Sequence, residues 1–310
     1  MVDVSVIMPA RNAARTIGAS IRSVLAQPSV AELILVDDHS TDQTVETARQ
    51  AGDARLRTFH SPACGIAAAL NFGLSKATGE YIARCDADDL YPENRLDWQL
   101  SWLQSHCDYI AVSGGFRAIS KHCKPVADLA CQGEGRDVTE DLLAGRAVTT
   151  LCSWLIRAEA IAQVGGARPW FKTGEDIDLQ LRLARCGKVW HEPRVSYIYR
   201  LHDNSITHAQ STRIHEFYET SAKQFAVQRA QRGYDDLEIG SPPPLPEADD
   251  ASRESATDHS ISLLVGGAWV QHRQGKKIAS VQTMLRAIGL KPQRFSLWKG
   301  LAMLIIKSTR

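Results

Sequence analysis

The sequence predicts an α/β fold built on a doubly wound, mostly parallel sheet, and two observations support this class. Short apolar stretches at residues 4–8 and 33–36 alternate with segments of helical period. Acidic residues follow two such stretches directly, at 37–38 and 86–89. Because ligands bind outside the carboxyl ends of the strands in open α/β sheets, the pattern also predicts a binding site at that edge.

The individual elements follow from hydrophobic spacing and turn residues. Pro9 is expected to end the first strand, and Pro92 to lie in the first turn of a helix. Residues 121–137 lack periodicity and are predicted to form a loop. Further strands are expected near residues 56–59, 81–85, 109–113, 149–156 and 195–199, and helices near 17–25, 43–51, 66–77, 157–164 and 174–186.

A stretch rich in proline and acidic residues, at 236–257, is predicted to be a linker between two regions. The first region, 1–235, carries the α/β pattern, and the second, 258–310, shows two helical periods. The last 50 residues contain nine basic and no acidic residues, so they carry +9 against −8 for the preceding part. This asymmetry predicts different partners for the two regions.

The composition is that of a globular protein in a reducing compartment. The chain has 310 residues, 44% of them hydrophobic, which suits a large buried core. Its seven cysteines form an odd set without a CxxC pair, so we expect reduced thiols and a cytoplasmic location. We identify neither a signal peptide nor an apolar run of the roughly 20 residues that cross a bilayer. The His–Cys neighbours at 106–107 and 122–123 match no common zinc module.

The carboxylates at residues 86–89 are the most informative feature of the sequence. Asp86, Asp88 and Asp89 follow a buried strand and repel one another unless a divalent cation or water separates them. An oxygen-only cluster favours Mg²⁺ or Mn²⁺, which commonly bind substrate phosphates at the same time, so a diphosphate is the predicted ligand. The alternatives are a solvated turn for this cluster and helix capping for the acidic pairs at 37–38 and 175–176.

Four short segments stand in a recognisable order: VSVIMPARN at 4–12, LVDDHSTD at 35–42, DADD at 86–89 and GEDIDL at 174–179. As a set they resemble the family 2 inverting glycosyltransferases of the GT-A fold, over roughly residues 1–210. The resemblance implies a GT-A catalytic domain at 1–235, followed by a C-terminal helical extension. Within that domain, a nucleotide-sugar half at about 1–115 would precede an acceptor half at about 116–235.

The same resemblance implies the residues that bind the nucleotide sugar. Asp38 would accept a hydrogen bond from a uracil-like edge, Asn71 matches a position on the donor side, and Arg200 would neutralise phosphate charge. Asp86 would contact the ribose or a metal-bound water. The segment that lines the base consists of Pro9, Ala10, Arg11 and Asn12.

By the resemblance, a divalent cation and a carboxylate base carry the chemistry. Asp88 would ligate Mg²⁺ or Mn²⁺ directly, with Asp86 as a further ligand. His202 would either complete the metal shell or contact the pyrophosphate, and a structural hydrogen bond is its equal alternative. The ion would stabilise the departing diphosphate, so no proton donor is needed there. The incoming hydroxyl must lose its proton, and Asp176 matches the family's base, with Glu175 orienting the acceptor or a loop.

The expected activity is an inverting, metal-dependent transfer of a sugar from a nucleotide sugar, with a UDP-sugar as the expected donor. The acceptor would be a hydroxyl of a glycan or lipid-linked molecule in cell-surface polysaccharide synthesis. A sugar-1-phosphate nucleotidyltransferase is one alternative, although residues 9–12 lack the glycine-rich loop that such enzymes use. A catalytically silent, membrane-associated scaffold of the same fold is the other.

The basic C-terminal segment has two interpretations. With Lys299, Lys307 and Arg310 around its apolar residues, it suits an amphipathic helix in an anionic membrane interface, which would make the protein peripheral on the inner face of the plasma membrane. Packing against the catalytic domain is the rival. Nucleic-acid binding is not expected, because no recognised module is present. The apolar residues concerned are Phe295, Leu297, Trp298, Leu301, Leu304 and Ile305.

Overall fold

The computed structural model describes residues 3–202, 212–246 and 255–308. The strands in this part of the chain are β1 Val4–Ala10, β2 Val30–Asp37, β3 Leu56–His60, β4 Tyr81–Arg84, β5 Tyr109–Ser120, β6 Pro125–Leu129, β7 Arg136–Asp137, β8 Leu155–Arg157 and β9 Lys188–Leu201. The helices are α1 Ile17–Leu25, α2 Thr44–Arg49, α3 Ile66–Lys76, α4 Arg95–Ser105, α5 Thr139–Leu143, α6 Ala158–Val164, α7 Glu175–Leu183, α8 Thr212–Arg232, α9 Ala256–Arg273, α10 Lys277–Leu290 and α11 Phe295–Ile306.

The strands form one mixed sheet in the order β3-β2-β1-β4-β8-β5-β9-β7, with β6 paired to β5. Strands β3, β2, β1 and β4 are parallel, whereas β8 runs antiparallel to both β4 and β5. Every residue of β1 is buried, as expected for a central parallel strand that is covered on both faces. The predicted class, a mostly parallel, doubly wound sheet flanked by helices, is confirmed.

Helices cover both faces of this sheet, and the alternation of side chains along β1 explains how. Val6 and Met8 belong to a core that includes residues of α1 and α4, whereas Ile7 belongs to a second core with α3, α6 and α7. Gly73 of α3 lies so close to β1 that a Cβ atom there would come within 2.5 Å of the Ile7 side chain. Helix and strand therefore pack in direct contact, and the ends of the strands form the accessible edge.

The two predictions made from prolines are wrong. Pro9 lies inside β1, opposite Val36 of β2, because β4 pairs with β1 only as far as Ile7 and leaves one side of the strand unpaired at Pro9. Pro92 lies outside α4, because Asn94 adopts a left-handed φ of 56° and the helix begins only after it.

Two further local predictions are wrong for a different reason. Residues 121–137, predicted as a loop, contain β6 and β7, which are short and largely exposed and therefore carry no alternating apolar pattern. Residues 149–156, predicted as a strand, contain a 3₁₀ turn at Leu151–Ser153. The Thr150 hydroxyl caps that turn by accepting the Cys152 N–H, so the strand β8 starts only at Leu155.

The chain forms two compact units. The first comprises Met1–Phe116, Ala130–Tyr199 and Arg213–Ala248, and the second comprises Arg117–Leu129, Arg200–Thr212 and Asp249–Arg310. The units interleave along the chain, whereas the predicted domains follow one another. The predicted linker at 236–257 stays a prediction, since residues 247–254 lie outside the described part.

The second unit has its own apolar core. The predicted helical pair is present as α9 and α10, and the third helix, α11, buries Leu297 and Leu304 against them. Val126 of β6 packs against the same core. Within the described residues, no helix is both long and apolar enough to cross a membrane.

Candidate active site

Acidic segments from two strands meet at one edge of the sheet. Strand β1 lies between β2 and β4, with Ala10 opposite Asp37 and Ile7 opposite Arg84. The acids that follow β2 and the acids that follow β4 therefore leave the sheet at its carboxyl edge, on either side of the end of β1. This is the edge at which open α/β sheets bind ligands.

Asp38 is fixed at this edge as a hydrogen-bond acceptor. The residue is buried, and its two carboxylate oxygens accept the Gly65 N–H at 3.0 and 3.1 Å. Its own N–H donates to the Ala10 carbonyl at 2.7 Å. Arg11 lies nearby, with Nη1 3.8 Å from Asp38 Oδ2. A carboxylate oxygen has more than one lone pair, so the oriented Asp38 can accept a further donor from a ligand.

Residues 9–12 divide between the sheet and the surface. The first two are buried in β1 and the last two are exposed. Asn12 adopts a φ of 51° and joins two loops: its N–H donates to Ser40 Oγ at 2.9 Å, and its Oδ1 accepts the Thr41 N–H at 2.8 Å. The predicted contact of this segment with a nucleotide base stays a prediction.

The turn at residues 86–89 separates its three acids into two roles. Asp89 is 1% exposed, and its Oδ2 accepts a hydrogen bond from the Tyr197 hydroxyl at 2.8 Å. The same hydroxyl accepts the Asp86 N–H at 3.0 Å. Asp86 and Asp88 are half-buried at the edge. Two carboxylates therefore lie half-buried at the edge, and the third holds the turn.

The start of helix α1 and the buried Tyr91 anchor the same turn. The hydroxyls of Thr16 and Ser20 donate to the Ala87 carbonyl at 3.0 and 2.9 Å. The Tyr91 hydroxyl donates to the carbonyl of Arg84, the last residue of β4, at 2.8 Å. The backbone that carries Asp86 and Asp88 is thus held from several sides, as a preorganised site requires.

Arg84 joins this turn to the helix that carries the predicted base. Its Nε and Nη2 donate to the two Asp86 carboxylate oxygens at 2.7 and 3.2 Å, and its Nη1 donates to Glu175 Oε1 at 3.0 Å. Glu175 is the first residue of α7, after Gly174, whose φ of 71° glycine adopts without strain. One guanidinium therefore links an acid of the turn after β4 to an acid of α7, although the two acids are distant in sequence.

Asp176 lies beside that link and is half-buried. Burial, followed by the neighbouring Glu175 carboxylate, raises its pKa to about 6, against an opposing effect of Arg84. Asp86 acts in the same direction as Glu175. A carboxylate with this pKa is ionised at neutral pH and is a stronger base than an ordinary aspartate, which suits it to accept a proton from a hydroxyl.

Asp86 and Asp88 are the candidate ligands for a divalent cation. They form an oxygen-only pair of carboxylates at the ligand-binding edge, which is the donor chemistry that Mg²⁺ and Mn²⁺ prefer. Both oxygens of Asp86 are shared with Arg84, so this residue suits a water-mediated or shared contact better than sole ligation. The residues present fit such an ion.

The other predicted site residues have different surroundings. The Asn71 side chain pairs with the main chain of Ala167, donating at 2.7 Å and accepting at 2.8 Å, and so ties α3 to the loop before α7. Arg200 and His202 belong to the second unit, where Arg200 Nη1 donates to Cys123 Sγ at 3.0 Å. Roles for these three residues in donor or metal binding stay predictions.

Sequence analysis missed three residues that shape the site. Arg84 carried a detectable signal, because residues two apart on a strand share one face and Arg84 precedes Asp86 by two. Tyr197 and His215 carried none. His215 lies 3.0 Å from Thr173 Oγ1 and 3.0 Å from Glu219 Oε1, and its bond with Glu219 raises its pKa, with Asp176 contributing in the same direction.

Known proteins similar in sequence are glycosyltransferases. Residues 5–126 match the family described as Glycosyl transferase family 2. The putative glycosyltransferase EpsE of Bacillus subtilis (strain 168) is 37% identical over 188 residues, which span 58% of this chain and 66% of EpsE. The Escherichia coli UDP-Glc:alpha-D-GlcNAc-diphosphoundecaprenol beta-1,3-glucosyltransferase WfgD is 41% identical over 102 residues, or 32% of this chain and 40% of WfgD. The chain therefore spans less than two thirds of either relative.

Solved structures agree with the fold. Staphylococcus aureus TarS 1-349 in complex with UDP has a TM-score of 0.59 at 16% identity, covering 98% of this chain and 88% of that one. The mannosyltransferase PcManGT from Pyrobaculum calidifontis, in complex with GDP-Man and Mn²⁺, has a TM-score of 0.56 at 20% identity, with coverages of 98% and 81%. Sheet, acidic edge and these likenesses define the GT-A fold class. Within that class, residues 5–126 match glycosyltransferase family 2, the family that the resemblance predicted.

Proposed function

We propose that this protein is an inverting, metal-dependent glycosyltransferase that moves a sugar from a nucleotide-sugar donor to a hydroxyl of a glycan or lipid-linked acceptor. The observation that carries the proposal is the Arg84 link between Asp86 and Glu175, the neighbour of Asp176. Donor-side acids and an acceptor-side base must act on the same anomeric carbon, so they must lie close together. Arg84 meets that condition, because it holds Asp86 on the donor side and Glu175, next to the proposed base Asp176, on the acceptor side.

In the proposed reaction, the acceptor oxygen displaces the nucleoside diphosphate in one step. Its lone pair forms the new bond to the anomeric carbon while the bond from that carbon to the phosphate oxygen breaks. The electrons of the broken bond leave with the diphosphate, and Asp176 takes the hydroxyl proton. Because attack comes from the side opposite the leaving group, the anomeric configuration inverts without a covalent intermediate.

The donor diphosphate is proposed to lie at the turn after β4. Asp88 and Asp86 are the proposed ligands of Mg²⁺ or Mn²⁺, and the metal and phosphate contacts implied for His202 and Arg200 stay predictions. When bound, such an ion stabilises the charge that develops on the leaving diphosphate. Arg84 holds the side chain of Asp86 and Tyr197 holds its main chain, so Asp86 is positioned before the metal ion binds.

A uridine diphosphate sugar is the proposed donor. Asp38 offers oriented carboxylate oxygens, which suit a base that presents an N–H donor, such as N3–H of uracil. The likeness in fold to TarS with UDP supports this choice, and the likeness to a mannosyltransferase with GDP-Man makes a guanosine donor the comparison to test. Asn71 and residues 9–12 are the remaining proposed contacts on the donor side.

The acceptor is proposed to be a glycan on a polyprenyl diphosphate. The support is the relative WfgD, which by name acts on a diphosphoundecaprenol-linked sugar. A pathway that assembles a cell-surface polysaccharide would use such an acceptor at a membrane surface.

The test is a transfer assay with the full-length protein. UDP-glucose, UDP-N-acetylglucosamine and GDP-mannose are each supplied with Mn²⁺ and a polyprenyl-diphosphate-linked monosaccharide, and the product anomer is determined by NMR. We expect an inverted product from a uridine donor and its loss with a chelator. Asp88→Asn should lower turnover roughly 100-fold. The matched surface variant Asp108→Asn, which removes only an exposed ion pair with Lys188, should not.

Two outcomes would contradict the proposal. Release of pyrophosphate from a nucleoside triphosphate and a sugar phosphate, without a glycan product, would identify a nucleotidyltransferase. Calorimetry that detects no metal-dependent binding of UDP would identify a silent scaffold of the same fold.

We also propose that the second unit binds an anionic membrane surface through α11. The structure divides the apolar residues of this helix: Leu297 and Leu304 are buried in the core of the unit, whereas Phe295 is 70% and Ile306 is 82% exposed. Trp298, Met303 and Ile305 are also exposed. The absence of acidic residues from the last 50 positions of the sequence supports an anionic partner.

Sedimentation with lipid vesicles tests this surface. We expect binding to vesicles that contain phosphatidylglycerol, weak binding to pure phosphatidylcholine, and loss of binding at high salt. The double variant Trp298→Ser and Ile306→Ser should weaken binding about tenfold or more. Ile239→Ser, which removes an exposed apolar residue of the first unit, is the control and should leave binding unchanged. Equal binding to neutral and anionic vesicles would contradict the proposal.

A further inference from the structure

A second set of metal-type ligands lies at the other end of the same sheet edge. One ligand atom from each of Asp38, His39 and Cys64 lies within 4.8 Å of the others. Asp38 is buried, and the His39 and Cys64 side chains are exposed. These residues come from the loop after β2 and from the segment before α3, and the site described above leaves the histidine and the thiol without a role.

The main chain holds the two loops in register with each other. The N–H of Gly65, which directly follows Cys64, donates to both carboxylate oxygens of Asp38. This pair of bonds fixes the Cys64 backbone relative to Asp38. The ligand residues are therefore positioned by contacts that do not depend on a metal.

His39 is held in the same way. Its φ of 55° is unusual for a residue other than glycine, and such a conformation persists only where the surroundings impose it. Here Asn12 bonds to both following residues, Ser40 and Thr41. The imidazole therefore leaves a fixed backbone at the edge, beside the Asp38 carboxylate and the Cys64 thiol.

The donor chemistry of this cluster differs from that of Asp86 and Asp88. A thiolate, an imidazole and a carboxylate suit Zn²⁺ and similar borderline ions rather than Mg²⁺. In a tetrahedral Zn²⁺ site with bonds of about 2.0–2.3 Å, the ligand atoms lie roughly 3–4 Å apart. Rotation of the exposed His39 and Cys64 side chains can shorten the present separations, which are at most 4.8 Å, to those distances. Arg11, whose Nη1 lies 3.8 Å from Asp38, has a largely exposed side chain and can turn away from a bound cation.

We propose that Asp38, His39 and Cys64 bind a zinc-class divalent cation in competition with the nucleotide of the donor. The binding itself rests on the three side chains alone. The competition rests on the proposed function, which assigns Asp38 to the nucleotide base. A cation held by Asp38, His39 and Cys64 would occupy the space from which the base N–H approaches the Asp38 carboxylate, so zinc would act as an inhibitor that the donor displaces.

Cobalt absorption tests the site, because Co²⁺ replaces Zn²⁺ and gives a charge-transfer band when a thiolate binds it. The full-length reduced protein is titrated with Co²⁺ alone. We expect a band in the wild-type protein that zinc abolishes and that is absent in Cys64→Ser. In His39→Asn, Co²⁺ should bind at least tenfold more weakly. Asparagine keeps the left-handed backbone but removes the imidazole. Cys107→Ser, which removes another exposed cysteine that follows a histidine, should keep the band.

The outcomes separate this inference from the proposed function. No band in the wild-type protein, or a band that persists in Cys64→Ser, overturns the site. If the band forms and UDP with Mg²⁺ displaces the cobalt, both halves of the inference hold. If UDP binds by calorimetry with unchanged affinity in the presence of Zn²⁺, the competition is wrong. If UDP does not bind even without zinc, the proposed function fails, and the cobalt titration still decides the site.

Discussion

Helix α7 carries two aspartates two residues apart, and their surroundings are opposite. Asp178 is fully buried, and its carboxylate accepts hydrogen bonds from Arg168 Nε at 2.9 Å and from Arg182 Nε at 2.8 Å. Asp176 is half-buried, and its nearest charges include two acids, Glu175 and Asp86, so its pKa is raised to about 6. The charge of Asp178 is balanced by two arginines, whereas Asp176 remains a stronger base than an ordinary aspartate.

The compensated acid belongs to a larger cluster that joins α7 to the end of α8. Asp235 is also fully buried and bonds to Arg168 and Arg229. Burial lowers the pKa of Arg229, because the loss of hydration of its charge outweighs the attraction of the neighbouring carboxylates of Asp178 and Asp235. Such a network stabilises the native arrangement only while all its members are present. The comparison teaches that pairing with arginines, rather than position in a motif, separates an acid with a structural role from one with a chemical role.

The largest expected effect is on catalysis at Asp176. Asp176→Asn should lower kcat by between about 10² and 10⁴-fold, because the hydroxyl loses its base. UDP binding, measured by calorimetry, should be retained. The pKa of Asp176 is raised in the folded state, so its ionised form costs stability above about pH 6, and the variant should melt at the same or a higher temperature at pH 8. Near-normal turnover would remove Asp176 from the role of base.

Asp178→Asn should show the opposite pattern. Removing this charge leaves Arg168 and Arg182 buried beside a neutral side chain, so the free energy of unfolding should fall by about 3–5 kcal/mol in urea titrations. The kcat per folded molecule should stay within a few-fold of the wild type. A variant of unchanged stability that has lost activity would reverse the roles assigned to the two acids.

Tyr197→Phe tests the frame under the acidic turn and should have an intermediate effect. The Asp86 N–H and the Asp89 carboxylate both lose a partner, which should cost about 1–3 kcal/mol of stability. We also expect roughly tenfold weaker metal-dependent donor binding, because Asp86 and Asp88 lose their fixed backbone. Tyr234→Phe, at an exposed tyrosine, is the control. Unchanged donor binding in Tyr197→Phe would show that the turn does not depend on this hydroxyl.

Glu175→Gln should have the smallest effect on turnover and should act through Asp176. Glu175 is the nearest negative charge that raises the pKa of Asp176, and its removal also leaves Arg84 freer to interact with that residue. Both changes lower the pKa of Asp176. The acidic limb of the pH–rate profile should therefore move to lower pH. A limb that does not move would show that Glu175 does not act through the pKa of Asp176.

Local patterns were sufficient to predict the parts of the fold whose signals are local. The strands from 4 to 85, the acids at their ends and the start of α7 all follow from runs of neighbouring residues. Strands β6 and β7 could not be predicted, because they are short, exposed strands without an apolar period. The contact of Tyr197 with the acidic turn spans 111 residues of sequence to Asp86 and depends on the sheet order alone. The different fates of Asp176 and Asp178 likewise depend on arginines that only the folded chain brings together.

The pH dependence of kcat tests the central claim most directly. An acid that must be ionised to act as a base, and whose pKa is about 6, should make kcat rise about tenfold per pH unit below pH 6 and level off above pH 7. The limb should survive in His215→Gln, which removes the nearby imidazole whose pKa is raised by its hydrogen bond with Glu219. A rate that is flat between about pH 5 and pH 8, with donor binding intact, would contradict the account.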